Sequence, residues 1–239
     1  MTKYLLLLLL PLMTIGQEDF DQVLFEQYDR YKENSIESRR FKHKDIQPLI
    51  EALGKENGFS VTSLGVSIQG RSISMISVGT GEADVLLWSQ MHGDESTATM
   101  AMFDIFNYLK ENGGILEGLK VHFIPMLNPD GAELFQRRNA IGIDINRDAL
   151  RLQSPESRIL KAARDSLEAD YGFNLHDHSR YDNAEKTAKP ATLSFLAPAF
   201  NDEKDMSEKR GDAMKIIAMM NEVVQKHAKG QVGRYSDAF

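Results

Sequence analysis

Two side chains that commonly bind metals lie close together in residues 91–95, which read Met-His-Gly-Asp-Glu. His92 and Glu95 follow the apolar residues 85–90, which predict a buried strand, and precede residues 96–103, which predict the start of a helix. A turn from strand to helix can direct both side chains to one point. An imidazole and a carboxylate are two of the three protein ligands of a catalytic zinc ion. A histidine and a glutamate at this spacing often occur by chance, so the prediction of a zinc site depends on a third ligand.

The third ligand is expected at the end of another predicted strand, residues 171–175. His176 and His178 compete for this place, because alternate residues of an extended chain point to opposite sides. We prefer His176, which directly follows the apolar part of the strand. Asp177 or Asp94 is expected to orient a ligand imidazole through a hydrogen bond. Two histidines and one carboxylate leave a zinc position open for water, which is the arrangement of a hydrolytic site.

The segment of residues 137–147 (RRNAIGIDINR) brings three arginines and three further polar side chains together. The planar guanidinium group of arginine binds a carboxylate through two hydrogen bonds. A second arginine could polarise a carbonyl group and stabilise the oxyanion that develops from it. The alternative is a basic surface loop whose arginines form ion pairs with solvent-exposed acids. The residues alone leave both interpretations open.

Strands alternate with helices along the chain, which predicts an α/β domain around a mostly parallel, mixed central sheet. Residues 60–68 and 72–78 predict an antiparallel hairpin at one edge of that sheet. Residues 128–131 predict a turn, and residues 155–169 and 205–229 predict helices. Ligands bind beyond the carboxyl ends of the strands in such sheets. Both the His92–Glu95 pair and His176 are expected there.

Composition narrows the class of protein. Of the 239 residues, 42% are hydrophobic and 26% are charged, which is typical of a globular domain with a packed core. The net charge of −7 argues against nucleic acid as the main partner, because phosphate binding favours a basic surface. The sequence contains no cysteine, which excludes disulfide bonds, thiolate zinc sites and cysteine nucleophiles.

Residues 1–16 have the pattern of a secretory signal peptide. Lys3 gives a positive start, an apolar stretch follows over residues 5–12, and Gly16 offers a small residue before a cleavage point. The stretch is shorter than the roughly 20 residues that span a bilayer, so no membrane span is expected. We therefore expect one domain over residues 17–239, exported to a periplasm or out of the cell.

Taken together, these motifs resemble those of the zinc metallocarboxypeptidases related to carboxypeptidase A, a family with many bacterial members. The matching stretches occur in the order of that family between about residues 60 and 200. They are His92-Gly93-Asp94-Glu95, Asn128-Pro129-Asp130-Gly131, Arg137-x-Asn139-Ala140-x-Gly142-x-Asp144-x-Asn146-Arg147, Ser154-Pro155-Glu156 and Asn174-Leu175-His176.

The resemblance implies a three-layer α/β/α fold with a mixed sheet and one zinc ion. It implies that His92, Glu95 and His176 bind the metal. It also implies that Arg137, next to Arg138, polarises the scissile carbonyl, and that Asn146 and Arg147 bind the terminal carboxylate of the substrate. The implied activity is the hydrolytic release of a C-terminal residue from a peptide, or cleavage of a related amide such as one in a cell-wall peptide.

The sequence departs from the family at two places. Asp148 and Ala149 stand where the family commonly has asparagine and an aromatic residue. The general-base glutamate of the family, on a strand well after the third ligand, has no counterpart here, so we expect this sequence to lack the C-terminal part of the domain. Three functions remain open: a carboxypeptidase, a zinc-dependent amidase or deacylase on the same site, and a zinc- or ligand-binding protein without a base.

Overall fold

A computed structural model describes residues 17–178 and 181–235. Its helices are α1 (Gln17–Glu26), α2 (Tyr28–Tyr31), α3 (His43–Leu53), α4 (Thr97–Asn112), α5 (Pro129–Leu134), α6 (Pro155–Leu167) and α7 (Glu208–His227), with a short 3-10 helix at Gly113–Leu116. Its strands are β1 (Phe59–Val66), β2 (Ser72–Gly79), β3 (Ala83–Trp88), β4 (Leu119–Ile124), β5 (Tyr171–Asn174), β6 (Leu193–Phe195) and β7 (Val232–Arg234).

The central sheet has five strands in the order β1-β2-β4-β3-β5. Strands β1, β2 and β4 pair antiparallel, whereas β4, β3 and β5 pair parallel. The predicted mixed α/β sheet and its edge hairpin are therefore confirmed. Parallel and antiparallel pairings are equally frequent in this sheet, because the hairpin also pairs antiparallel with β4. The carboxyl ends of β3 and β5, which precede the predicted metal ligands, lie side by side.

Both faces of the sheet are covered, because successive side chains of each buried strand point to opposite sides. On one face, α3 and α4 pack against alternate residues of β2 and β4; the rings of Phe106 and Phe123 meet edge to face at 4.9 Å. On the other face, Leu160 of α6 packs with Leu86 and Ile124. The sheet and its two helical layers form the three-layer α/β/α arrangement that the resemblance implies.

One local prediction is wrong, and one strand was not predicted. Residues 128–131 are not a turn between strands but the start of α5. Asn128 caps this helix, since its side chain accepts a hydrogen bond from the Gly131 N–H at 2.9 Å, and Pro129 occupies the first helical position. Strand β7 was not predicted; it pairs parallel with β6 in a separate two-stranded sheet.

The chain forms two compact units. Residues 25–177 hold the five-stranded sheet and α2 to α6. Among the described residues, the other unit combines residues 17–24 with residue 178 and residues 181–235, and contains β6, β7 and α7. The single domain over residues 17–239 stays a prediction, and the predicted signal peptide at residues 1–16 lies outside the described residues. None of the described helices combines the length and the apolar character that crossing a membrane requires.

Candidate metal centre

The turn that carries His92 and Glu95 lies between β3 and α4, where the sequence predicts it. It packs directly against the start of α5. A Cβ atom added to Gly93 would lie 2.1 Å from the carbonyl carbon of Gly131 and 2.3 Å from the amide nitrogen of Ala132. These distances leave no room for a side chain, so only glycine permits this close approach of the two backbones. The turn is thereby fixed to the scaffold at the residue between the two polar side chains.

Three side chains converge beyond the ends of β3 and β5. Nδ1 of His92 lies 2.7 Å from Oε1 of Glu95, and Nδ1 of His176 lies 2.6 Å from Oε2 of the same carboxylate. One possible ligand atom from each of the three residues lies within 4.8 Å of the others. The side chains of His92, Glu95 and His176 are 2%, 15% and 30% exposed, so the cluster opens to solvent on the His176 side. A substrate could approach from there.

The charge state of Glu95 favours metal binding. Burial by itself raises the pKa of this carboxyl, but the hydrogen bonds and charges of His176 and His92 outweigh burial and lower the pKa to about 2. The carboxyl is therefore ionised over the whole physiological range. An ionised carboxylate is the form in which this side chain can bind a metal ion.

Asp144, rather than Asp94 or Asp177, contacts the imidazole of a candidate metal ligand, His92. Its Oδ1 atom lies 3.1 Å from Nε2 of His92, which leaves Nδ1 of that ring facing Glu95. Metal-binding histidines usually donate their second N–H to such a carboxylate, which fixes the tautomer of the ring. The sequence did not predict this contact because 52 positions separate the two residues. The only signal was the presence of Asp144 in the resembling stretch of residues 137–147.

The structure distinguishes Arg137 from Arg138. Nη1 of Arg137 lies 3.1 Å from Nδ1 of His92 and donates to Oε1 of Glu95 at 3.3 Å, while Nη2 forms an ion pair with Asp144 at 2.9 Å. Arg138 donates instead to the carbonyl oxygen of Gly142 at 2.8 Å. Arg137 therefore borders the cluster, whereas Arg138 closes its own loop.

Asn146 and Arg147 lie on the turn that follows Asp144. The backbone N–H of Asn146 donates to Oδ1 of Asp144 at 3.1 Å, and that of Arg147 donates to the Asp144 carbonyl at 3.0 Å. The Asn146 side chain is half-buried and that of Arg147 is exposed. The turn thus attaches both residues to the carboxylate that contacts His92 and Arg137, so they belong to the same neighbourhood as the cluster.

His178 and His122 lie outside the cluster of His92, Glu95 and His176. His178, the alternative third ligand, lies 3.7 Å from Asp182 through Nδ1 and does not belong to the three-residue cluster found among the described residues. His122 is buried, with Nδ1 2.7 Å from the Ser77 hydroxyl and Nε2 2.8 Å from Asp84. These contacts occupy both nitrogens of its ring.

A buried network supports the loop that carries Arg137 and Asp144. Glu156, which is fully buried, accepts a hydrogen bond from the Asn139 amide at 3.2 Å. The Asn139 side chain in turn accepts from the backbone N–H of Ile143 at 2.9 Å, directly before Asp144. The resembling stretches at residues 137–147 and 154–156 therefore meet in space, and the second braces the first.

Asp148, one of the departures from the family pattern, has a structural role. It is buried and accepts hydrogen bonds from the Gln153 and Ser154 N–H groups and from the Ser157 hydroxyl, at 2.9, 2.8 and 2.6 Å. Burial raises the pKa of this carboxyl, but these donors lower it to about 2. The carboxylate closes the loop of residues 148–154 at the start of α6, so the departure is explained by folding.

The residues of the cluster fit a zinc ion. Two imidazole nitrogens and one carboxylate are the protein donor set of hydrolytic zinc sites, with a further position left for water or substrate. In this chain the Asp144 contact occupies Nε2 of His92, so its Nδ1 atom is the one available to the metal. Glu95 supplies the negative charge that partly neutralises a divalent cation.

The sequence is similar to those of known carboxypeptidases. A sequence profile of the family described as zinc carboxypeptidase matches residues 49–227. Carboxypeptidase SOL1 of Arabidopsis thaliana is 28% identical over 121 residues, which cover 41% of this chain and 25% of the relative. Carboxypeptidase M of Mus musculus is 25% identical over 135 residues, which cover 46% of this chain and 30% of the relative. This chain thus spans less than a third of either protein.

The fold is shared with solved structures. The metallo-carboxypeptidase from Burkholderia cenocepacia superposes with a TM-score of 0.62 at 20% sequence identity, over 82% of this chain and 54% of that one. At this identity the match shows a common fold. The family match covers the whole stretch from His92 to His176, so the three converging side chains lie within the matched residues.

Proposed function

Because the chain belongs to the zinc carboxypeptidase family, we propose that it is a zinc-dependent hydrolase that removes C-terminal residues from peptides. The observation that carries this proposal is the convergence of one ligand atom each from His92, Glu95 and His176 within 4.8 Å, with Arg137 bordering the cluster. The family supports a peptide as substrate, and a cell-wall peptide is one form that it could take.

Each residue has a distinct proposed task. His92, Glu95 and His176 hold the metal, and Asp144 keeps Nδ1 of His92 directed into the site through its contact with Nε2. When bound, zinc polarises a carbonyl group and makes water a nucleophile near neutral pH. Arg137 donates towards the oxyanion that develops on the scissile carbonyl, because its guanidinium group already lies beside Glu95.

Asn146 and Arg147 are proposed to bind the terminal carboxylate of the substrate. The exposed guanidinium group of Arg147 can form two parallel hydrogen bonds with a carboxylate. The turn after Asp144 fixes the position of both residues relative to the metal ligands. Such a clamp would select peptides with a free C-terminus and would exclude those ending in an amide.

We propose no described residue as the general base, the group that would take a proton from the attacking water. Glu95 lies in the site, but a ligand carboxylate cannot also act as the general base for water. A positioned general base typically contributes about 100- to 10,000-fold to the rate. Measurements of zinc binding and of peptide binding do not depend on a general base, so they test the site separately from the reaction rate.

Metal analysis tests the zinc centre. Purified protein should contain about one zinc ion per chain, and His92→Ala and His176→Ala should lose it because each removes one of three protein ligands. His178→Ala is the matched control, since this neighbouring histidine lies outside the cluster. Full zinc content in both ligand variants would overturn the proposed centre.

Paired peptides test the activity and the clamp. Peptides with a free C-terminal carboxylate should bind and be cleaved in preference to their C-terminal amides, and Arg147→Ala should abolish that preference. Equal cleavage of both forms, unchanged in Arg147→Ala, would instead favour an amidase or deacylase. Zinc binding without cleavage of either form would favour a non-catalytic binding protein.

We also propose that the protein is exported, which is supported by the signal-like pattern of residues 1–16. Expression of the full chain in a bacterial host, followed by N-terminal sequencing of protein from the periplasm or medium, tests this. The expected mature protein begins at Gln17. An intact Met1 start on intracellular protein would contradict export.

A further inference from the structure

Asp177, which directly follows the proposed ligand His176, caps the helix that follows Glu95. Both oxygens of its carboxylate accept from the Thr97 N–H at 3.3 Å, and the Thr97 hydroxyl donates to it as well. Thr97 is the first residue of α4. Ser96, the residue in the N-cap position, makes no side-chain cap hydrogen bond. A residue from the end of β5 therefore satisfies the free N–H group at the start of this helix.

The main chain of Asp177 contacts the metal cluster itself. Its N–H donates to Oε2 of Glu95 at 3.3 Å, and the same oxygen lies 2.6 Å from Nδ1 of His176. Asp177 thus holds the start of α4 with its side chain and the Glu95 carboxylate with its backbone. Asp177 therefore links the two segments that carry Glu95 and His176, in addition to the direct contact between those two side chains.

Arg39 completes the connection from outside. Its guanidinium group donates to Asp177 at 2.6 Å, and its carbonyl oxygen accepts from the Ser96 hydroxyl at 2.7 Å. The Asp177 side chain is only 8% exposed, whereas that of Arg39 is 54% exposed. Arg39 therefore neutralises a nearly buried carboxylate and ties a third segment, the loop before α3, to the same point.

We propose that Asp177 is a positioning residue of the metal centre, which sets the spacing between Glu95 and His176 by clamping the end of β5 to the first turn of α4. The inference rests on the proposed zinc centre and adds a residue that is not itself a ligand. Without the contacts of Asp177, the loop that carries His176 is free to move in the zinc-free protein. Zinc binding must then order this loop. The consequence is weaker zinc binding and faster zinc release.

The decisive comparison uses Asp177→Ala, Asp177→Asn and the control Asp104→Ala. Asp104 also lies on α4 and also holds a distant segment, since it accepts from the Glu33 N–H at 2.7 Å and from the Tyr28 hydroxyl at 3.0 Å, but it does not contact the cluster. Loss of either carboxylate should lower the melting temperature of the zinc-free protein. Only loss of Asp177 should affect zinc beyond that.

Zinc affinity is measured by competition with a chromophoric chelator, and ligand geometry by the absorption spectrum of the cobalt-substituted protein. Asp177→Ala should raise the zinc Kd about 10- to 100-fold, the range typical of residues that support metal ligands. Asp177→Asn keeps an acceptor for Thr97 and should restore most of the affinity and the wild-type cobalt spectrum. Arg39→Ala should fall between them.

Two results would overturn the positioning role while leaving the zinc centre intact. One is wild-type zinc affinity in Asp177→Ala. The other is an equal loss of affinity in Asp177→Ala and Asp104→Ala, because that would reflect general destabilisation. Failure of the wild-type protein itself to bind zinc would refute the metal centre, and with it the positioning role of Asp177.

Discussion

Oδ1 of Asp144 lies 3.1 Å from Nε2 of His92, while Oδ2 of the same carboxylate lies 2.9 Å from Nε of Arg137. One side chain thus fixes both a proposed metal ligand and the proposed oxyanion donor. Burial raises the pKa of Asp144, but the contacts with His92 and Arg137 lower it below the ordinary value. Asp144 therefore stays ionised and acts as an acceptor for both.

Asp144→Asn should weaken zinc binding about 10- to 100-fold, because an amide is a poorer partner for the second N–H of a ligand imidazole. Chelator competition measures the change. The matched control is Asp84→Asn, which alters an equivalent carboxylate–histidine pair, Asp84 with His122 at 2.8 Å, away from the cluster. Equal zinc affinity in the Asp144 and Asp84 variants would show that the contact does not support the metal.

Arg137 and Arg138 should differ in their effect on the reaction although they are neighbours. Removal of an oxyanion donor costs about 100- to 1,000-fold in kcat in other enzymes. Arg137→Ala should therefore weaken binding of a phosphonate peptide, which mimics the tetrahedral oxyanion, and should lower any kcat by a similar factor. Arg138→Ala should have little effect, since its guanidinium group donates to Gly142. The opposite order of effects would reassign the role to Arg138.

Asp148 should stabilise the fold above about pH 4. Its pKa is lowered from 3.8 to about 2 in the folded protein, so its stabilisation is complete above the unfolded-state pKa and is lost as the pH falls towards 2. Asp148→Asn should lower the free energy of unfolding at pH 7 by about 2 kcal/mol, because it keeps only one acceptor oxygen for several donors. Urea titrations at several pH values should show the difference shrinking between pH 4 and 2. A difference that does not change with pH would contradict the ionic role.

Gly93→Ala should destabilise the protein and abolish tight zinc binding together. The added methyl group would overlap the backbone of Gly131 and Ala132, and such overpacking costs about 1–3 kcal/mol or more. Thermal unfolding and zinc titration measure both effects. Gly113→Ala is the control, because an added Cβ there meets nothing within 4 Å and its φ of −55° suits alanine. Normal zinc binding by Gly93→Ala would mean that the turn can move away from α5 without harm.

The sequence predicted the three converging side chains because the evidence for them is local. His92, Glu95 and His176 each follow an apolar strand, and the carboxyl ends of parallel strands lie at one edge of a sheet. The edge hairpin and the alternation of buried strands with amphipathic helices are likewise local patterns. These features needed no knowledge of which residues meet across the fold.

Other local patterns in the sequence are compatible with more than one structure. Pro129, Asp130 and Gly131 are frequent in turns, but Asn128 and Pro129 are also good residues for a helix start. In the fold these residues form a helix, which packs against the backbone of Gly93. Strand β7 is only three residues long, and its pairing with β6 gives a stronger reason for its conformation than its own sequence does.

What the sequence determined by itself was the set of ligand types, their order and the end of the sheet at which they lie. The tertiary structure decided which acids support them. Asp144 contacts His92, and Asp177 caps α4 rather than orienting an imidazole, because side chains 52 and 80 positions apart are brought together by the packing of strands and loops. A carboxylate in a sequence gives no indication of its partner, since its hydrogen bonds depend on geometry that only the folded backbone provides.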